Sequence, residues 1–307
     1  MIEKIQRNPN NFRINMYYYH RARDAMFDMV QQLCDFGYKD IFIPGYIGWS
    51  PREGSGIFDP LNSIEGLVRH YYRMTKGLAI DIGSLRKGLK EKSILLIVNY
   101  FGFRDEQMEV AIQIAKERDC IVIEDNAHGF FTFFCHGSVG ADSTFFSLHK
   151  MFPFEEGGSL LLLNDILSIQ PKQNLEVFNE LIPCVYDING IARKRKENFK
   201  ALWALMEGNE EYFIPLKTEE DIVDNVPQTF PIIIKRGNRD KIYEIMNESG
   251  FGVVSLYHTM IEELRTEEHS EACWLSRHIM NLPVHQDCDD TEYKAMIETL
   301  KEACSIT

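Results

Sequence analysis

A chain of 307 residues has room for one large domain and a smaller one, and with 45% hydrophobic and 26% charged residues it has the composition of an ordinary globular protein. Its net charge of −13 argues against nucleic acid or an anionic membrane as partner, since both require a basic face. A phosphorylated small ligand stays open, because a few local donors suffice to hold one. No apolar run approaches the roughly 20 residues of a membrane span, and the opening MIEKIQRNPNNF has no signal-peptide core. The seven cysteines form no Cys-x-x-Cys pair and read as reduced thiols, so a cytoplasmic protein is expected.

In chain order, Ala22, Met26, Met29, Val30 and Leu33 fall on one face of a helix. Lys39 to Tyr46 reads as a buried strand ending at Pro44-Gly45, followed by a loop that carries Trp49. A further strand is expected near Leu67 to Met74, a strong buried strand over Ser93 to Phe101 and an amphipathic helix over Met108 to Arg118. Strands alternating with helices imply parallel βαβ units in a three-layer α/β/α sandwich. Beyond a loosely patterned segment, Ile166 to Asp187, a helix spans Ile191 to Asn198, whose basic run Arg193 to Lys196 reads as a solvated face. Then come a strand (Thr229 to Lys235), a helix (Asp240 to Ser249), a strand (Phe251 to Tyr257), a strand around Ile279 to His285 and a closing helix. The division expected is 1–188 for a large domain and 189–307 for a small α/β domain.

The most informative stretch is Cys120 to Asp165. Three apolar runs, Cys120 to Glu124, Ser143 to Leu148 and Ser159 to Leu163, are separated by loops that hold acids, glycines and one lysine. Glu124-Asp125 closes the first run, at the carboxyl edge where open α/β sheets place their ligands. Lys150 follows the second run between Leu148, His149, Met151 and Phe152. Such surroundings strip hydration, lower the pKa and leave more nucleophilic free amine. Gly157-Gly158 then permits a tight turn and a close backbone approach to whatever Lys150 holds.

The run Glu124-Asp125-Asn126-Ala127-His128, with Gly140-Ala141-Asp142, Phe146-Ser147, Lys150 and Glu156-Gly157-Gly158, resembles the DegT/DnrJ/EryC1/StrS family of pyridoxal-phosphate-dependent sugar aminotransferases, of fold type I. The resemblance implies that Lys150 binds the cofactor covalently, Asp125 pairs with its pyridine nitrogen, His128 lies beside the ring and its phenolic oxygen, and Ser147 contacts the phosphate. Family members usually place four residues between the serine and the lysine; here only Leu148 and His149 intervene. Anchoring on Glu156-Gly157-Gly158 still selects Lys150. At the start of the first helix Arg21 and Ala22 replace the family's serine and glycine, and Ala22 and Arg23 are the expected phosphate contacts at a helix N-terminus. Trp49 is the aromatic expected over the pyridine ring, one residue later than the family spacing.

The activity implied is transfer of an amino group, from glutamate by family analogy, to a keto sugar nucleotide in amino-sugar or glycan biosynthesis, within a homodimer. Known dehydratases of the family replace the lysine by histidine. Two alternatives stand beside transfer: a pyridoxal-phosphate enzyme for another keto compound, and a non-catalytic regulatory or ligand-binding protein on the same fold. Cys120, His128, Cys135 and His136 match no zinc spacing, and no metal is expected.

Overall fold

The computed structural model describes residues 15–165, 168–172, 186–254 and 256–307. Seven strands form the larger sheet: β1 (Asn15–Tyr19), β2 (Asp40–Pro44), β3 (Val68–Tyr72), β4 (Ile94–Val98), β5 (Ile121–Asp125), β6 (Ser143–Ser147) and β7 (Gly158–Leu162), in the spatial order β1-β7-β6-β5-β4-β2-β3. The pairings from β6 through β5, β4 and β2 to β3 are all parallel, while β7 is antiparallel to both β6 and β1. Six strands therefore share a direction and β7 opposes them. Every residue of β4 and β6 is buried, so both faces of the sheet are covered. The expected fold class holds: a mostly parallel sheet with helices on it.

The covering helices include α1 (Ala22–Asp35), α2 (Phe58–Asn62), α3 (Ile82–Gly88), α4 (Met108–Lys116) and α5 (Phe130–His136). Asp81 caps α3 by accepting the Ser84 N–H at 2.9 Å, which explains why the helix starts where it does. Helix α6 (Ile188–Trp203) leads toward a three-stranded antiparallel sheet of β8 (Phe213–Pro215), β9 (Thr229–Ile234) and β10 (Ile279–Pro283), with β9 in the centre. Around it lie α7 (Arg239–Glu248), α8 (Ser270–His278) and α9 (Tyr293–Ile306). The two sheets share one apolar core, in which the Phe199 ring of α6 meets Phe103 on one side and Phe230 of β9 on the other. No helix among the described residues is long and apolar enough to cross a membrane.

Two expectations change. Among the described residues Phe251 to Tyr257 forms no strand: Val254 makes an isolated bridge to Asn281, and Gly250, Gly252 and Tyr257 all sit at positive φ. The basic run of α6 is not wholly solvated, because Arg195 is only 2% exposed, with its guanidinium 4.8 Å from the centre of the Phe131 ring. Helical periodicity turns that one cation inward while Arg193 stays in water. Most of the segment Ile166 to Asp187 lies outside the described residues.

Candidate active site

All the pieces of the candidate site come to one edge of the large sheet. Parallel β5 and β6 end there at Asp125 and Ser147, β1 delivers the start of α1 to it, and antiparallel β7 begins there at Gly158. The end of β5 is pinned from both neighbours, by Asn99 N–H donating to the Asp125 carbonyl and Asn126 N–H donating to that of Phe145, each at 3.0 Å.

Lys150 closes a short 3-10 turn, Leu148–Lys150, after β6. Leu148 of this turn, with Met151 and Phe152 just after it, is buried in a cluster with Phe130, Phe131, Phe133 and Phe146, so the apolar neighbours fix the turn from behind and leave the lysine to the front. Leu148 N–H donates to the Gly157 carbonyl at 2.8 Å, and Gly157 N–H donates to the His20 carbonyl at 2.7 Å. Gly158 packs so tightly on Arg21 and Ala22 that a side-chain carbon would overlap their backbone. The close approach expected of the two glycines is thus made to the first turn of α1, which it locks beside the lysine turn.

Lys150 Nζ lies 3.0 Å from His128 Nε2, and Phe101 N–H donates to His128 Nδ1 at 3.3 Å. Protein crowds Lys150 although its side chain keeps solvent-accessible surface, and desolvation lowers its pKa; Asp125 and Glu53 pull the other way and Arg23 adds to the lowering. His128 is 4% exposed and is held well below the ordinary imidazole range by burial and by the charge of Lys150. Asp125 is pushed up to about 6 by burial, against the Ala127 N–H and Lys150, which lower it. Its Oδ1 accepts that N–H at 2.8 Å. Oδ2 has no hydrogen-bond partner among the described residues, which leaves one oxygen of a buried carboxylate for a ligand.

The remaining expected residues fall as follows. Ala22 and Arg23 open α1, whose first N–H groups have no acceptor inside the helix, and its Arg21 N-cap makes no side-chain cap. Arg23 also donates to the Glu53 carbonyl at 3.1 Å. Ser147 is buried, with Oγ 3.3 Å from His149 Nδ1. Trp49 is 41% exposed and its ring stacks on no other among the described residues. Glu124 is structural, accepting from Asn99 Nδ2 at 2.6 Å, and Glu156 pairs with His20 at 2.5 Å.

Sequence reasoning passed over Phe101, Glu53 and Tyr257. The Tyr257 ring stands edge-on to His128 at 6.0 Å and stacked on Tyr46 at 5.2 Å, and burial together with the Asp125 charge raises its phenol pKa. The aromatic beside the cluster thus comes from the C-terminal half, where only the glycines at 250 and 252 signalled a loop.

A cavity of about 730 Å³ lies elsewhere, between α5, α6 and residues 219–223, lined among others by Cys135, Lys196, Lys200 and Glu219. None of the expected site residues reaches it. Among the described residues no group of three or more His, Cys, Asp or Glu could hold a metal ion.

Among solved structures the chain resembles Helicobacter pylori PseC, an aminotransferase involved in the biosynthesis of pseudoaminic acid, at 15% identity and TM-score 0.76 over 95% of this chain and 87% of that one. It resembles Escherichia coli GDP-4-keto-6-deoxy-D-mannose-3-dehydratase, solved with bound hydrated pyridoxal phosphate, at 17% identity and TM-score 0.67 over 93% and 87% of the two chains. The aminotransferase TlmJ from Streptoalloteichus hindustanus matches at 11% identity and TM-score 0.69, over 94% and 86%. At these identities the likeness is one of fold, the type I fold of pyridoxal-phosphate-dependent transferases. No family model and no curated protein matches the sequence.

Proposed function

We propose that the chain is a pyridoxal-phosphate-dependent aminotransferase that moves an amino group from an amino acid, glutamate by resemblance, to a keto sugar nucleotide. The observation that carries this reading is the convergence of Lys150, His128 and the half-free carboxylate of Asp125 at one sheet edge, beside an uncapped helix start. The donor set fits the cofactor. Asp125 Oδ2 would accept from a protonated ring nitrogen. The N–H groups of Ala22 and Arg23, with the Arg23 guanidinium, would take the phosphate, and Ser147 would add a hydroxyl. When bound, pyridoxal phosphate supplies an electron sink for a carbanion.

The chain's own groups do the rest. Lys150 Nζ, as a free amine, is both nucleophile and base, placed to take a proton from a substrate carbon and return it. His128 packs beside it, 3.0 Å from Nζ. Tyr257 closes the site from the C-terminal half. A homodimer, a cytoplasmic setting, a role in amino-sugar or glycan biosynthesis and a boundary near residue 188 belong to the same proposal. Light scattering that found only monomer would count against it.

The test is the absorption spectrum of the purified protein with pyridoxal phosphate, for wild type and Lys150→Ala, before and after glutamate. A visible band that requires Lys150 and is bleached by glutamate is the expected result. No band in wild type would overturn the enzymatic reading in favour of a non-catalytic ligand-binding protein.

A further inference from the structure

The turn after β4 places two consecutive residues in the left-handed region, Phe101 at φ 58° and Gly102 at φ 91°. A phenylalanine is disfavoured there, so neighbouring contacts must hold it. They come from the segment that enters β9 and from α5. Gln228 N–H donates to the Phe101 carbonyl at 2.8 Å. Thr132 Oγ1 donates to the Gly102 carbonyl at 2.6 Å and accepts the Val226 N–H at 2.7 Å. A side-chain carbon on Gly102 would collide with the Val226 carbonyl.

The strained turn aims the Phe101 N–H at His128 Nδ1. A backbone amide can only donate, so Nδ1 keeps its lone pair and the neutral ring carries its proton on Nε2. That N–H faces Lys150 Nζ at 3.0 Å. Only a free amine has a lone pair to accept it; an ammonium would set N–H against N–H.

We infer that the Phe101 turn fixes the proton of His128 on Nε2, and that His128 thereby holds Lys150 as a free amine before any ligand arrives. This rests on the reading of Lys150 as the reactive lysine. The charged groups that act on the pair divide: Asp125 from β5 and Glu53 favour the ammonium, whereas Arg23 from α1 disfavours it. Burial disfavours charge on His128, the protein crowded around the solvent-reaching Lys150 disfavours it there too, and the donor on His128 adds to both. Phe101 is a positioning residue, acting through His128. The consequence is a lysine ready to add to an aldehyde near neutral pH, since the ammonium form cannot add.

The experiment uses the protein without added cofactor. Nitrogen-15 NMR of histidine-labelled protein, with His128 assigned by its loss in His128→Leu, reads the tautomer directly. The expected result is a neutral ring protonated on Nε2, unchanged in Phe101→Gly, which keeps the N–H and tolerates the backbone angle. Competitive acetylation read by mass spectrometry then gives the reactivity of Lys150 against pH. In His128→Leu, which keeps the packing beside Lys150 and removes the donor, labelling at neutral pH should fall by about tenfold, the equivalent of one pKa unit. A wild-type ring protonated on Nδ1, or doubly protonated at neutral pH, would overturn the inference even if the variant failed to fold; so would an unchanged labelling profile in a folded variant. These readouts do not involve pyridoxal phosphate. A missing absorption band with an Nε2 proton would sink the proposed function alone, and a band with an Nδ1 proton would sink this inference alone.

Discussion

Gly158 at the start of β7 lies directly on the backbone of Ala22, the first residue of α1, with no space for a side-chain carbon between them. This contact ties the proposed phosphate cradle to the turn that carries the lysine. Gly158→Ala should therefore push the strand away from the helix, at a cost of about 1–3 kcal/mol for an overpacked contact. Urea unfolding measures the loss. Pyridoxal phosphate titration of the folded variant should show weaker binding as well, because the cradle moves with the helix start.

Asp125 carries the next prediction. Burial pushes its carboxyl up to about 6, so as pH falls through that value it takes a proton and can no longer pair with a charged ring nitrogen. Affinity for pyridoxal phosphate should drop on the acid side of pH 6, by as much as about tenfold per pH unit. Asp125→Asn should bind about 10²-fold more weakly, an order set by breaking one buried pair, and should lose this acid limb. Fluorescence titration at several pH values checks both.

A third test concerns fold rather than site. Asp105 is buried and accepts the Ile80 N–H at 2.9 Å and the Gln107 N–H at 2.8 Å, one on each oxygen. Asn at this position would turn an amide N–H toward one of those donors, so Asp105→Asn should cost about 1–3 kcal/mol. Burial raises Asp105 to about 6 from 3.8. A raised carboxyl contributes stability that is present below the unfolded value and lost as pH rises through the folded one. Wild type should therefore lose this contribution between pH 3.8 and about 6, and thermal unfolding of the variant should lack that slope.

For Tyr257, packing and backbone strain can be separated. It sits at φ 60° with its ring on Tyr46. Tyr257→Phe should keep the stack and stay near wild type in stability. Tyr257→Ala keeps the strain and loses the ring, and should be destabilised by about 1–3 kcal/mol. Tyr257→Gly should be less destabilised than an entropy penalty for glycine implies, since glycine adopts this angle freely. Chemical denaturation of the three variants ranks them.

The strands of the large sheet were legible because burial on both faces writes continuous apolar runs such as Ile94 to Val98. Their direction was not: nothing in Ser159-Leu160-Leu161 distinguishes an antiparallel strand from a parallel one. Phe251 to Tyr257 read as a strand on its apolar content, whereas the positive φ at Gly250, Gly252 and Tyr257 breaks any ladder there. Lys150, His128 and Asp125 were picked out together by the resemblance of their motif, but the contact of Lys150 with His128 was not foreseen; it arises because the loops ending adjacent parallel strands meet. Phe101 and Tyr257 were not legible, because their roles depend on a backbone angle and on contacts between residues more than a hundred positions apart in the chain. Trp49, sought by spacing from Pro44, lies exposed in its loop, and Phe101 and Tyr257 are further aromatics whose rings meet His128.

Strand β1 has a further duty. It pairs with β7 from Asn15 opposite Leu162 to Tyr19 opposite Gly158, so it shields the apolar Gly158–Leu162 edge from other chains. The next residue, His20, is the one whose carbonyl anchors Gly157. A proteolytic nick just ahead of α1 would then do two kinds of damage at once: it would untether the lysine turn, and it would bare a sticky strand on which molecules could zip together. Loss of activity and onset of aggregation should therefore arrive with the same cut.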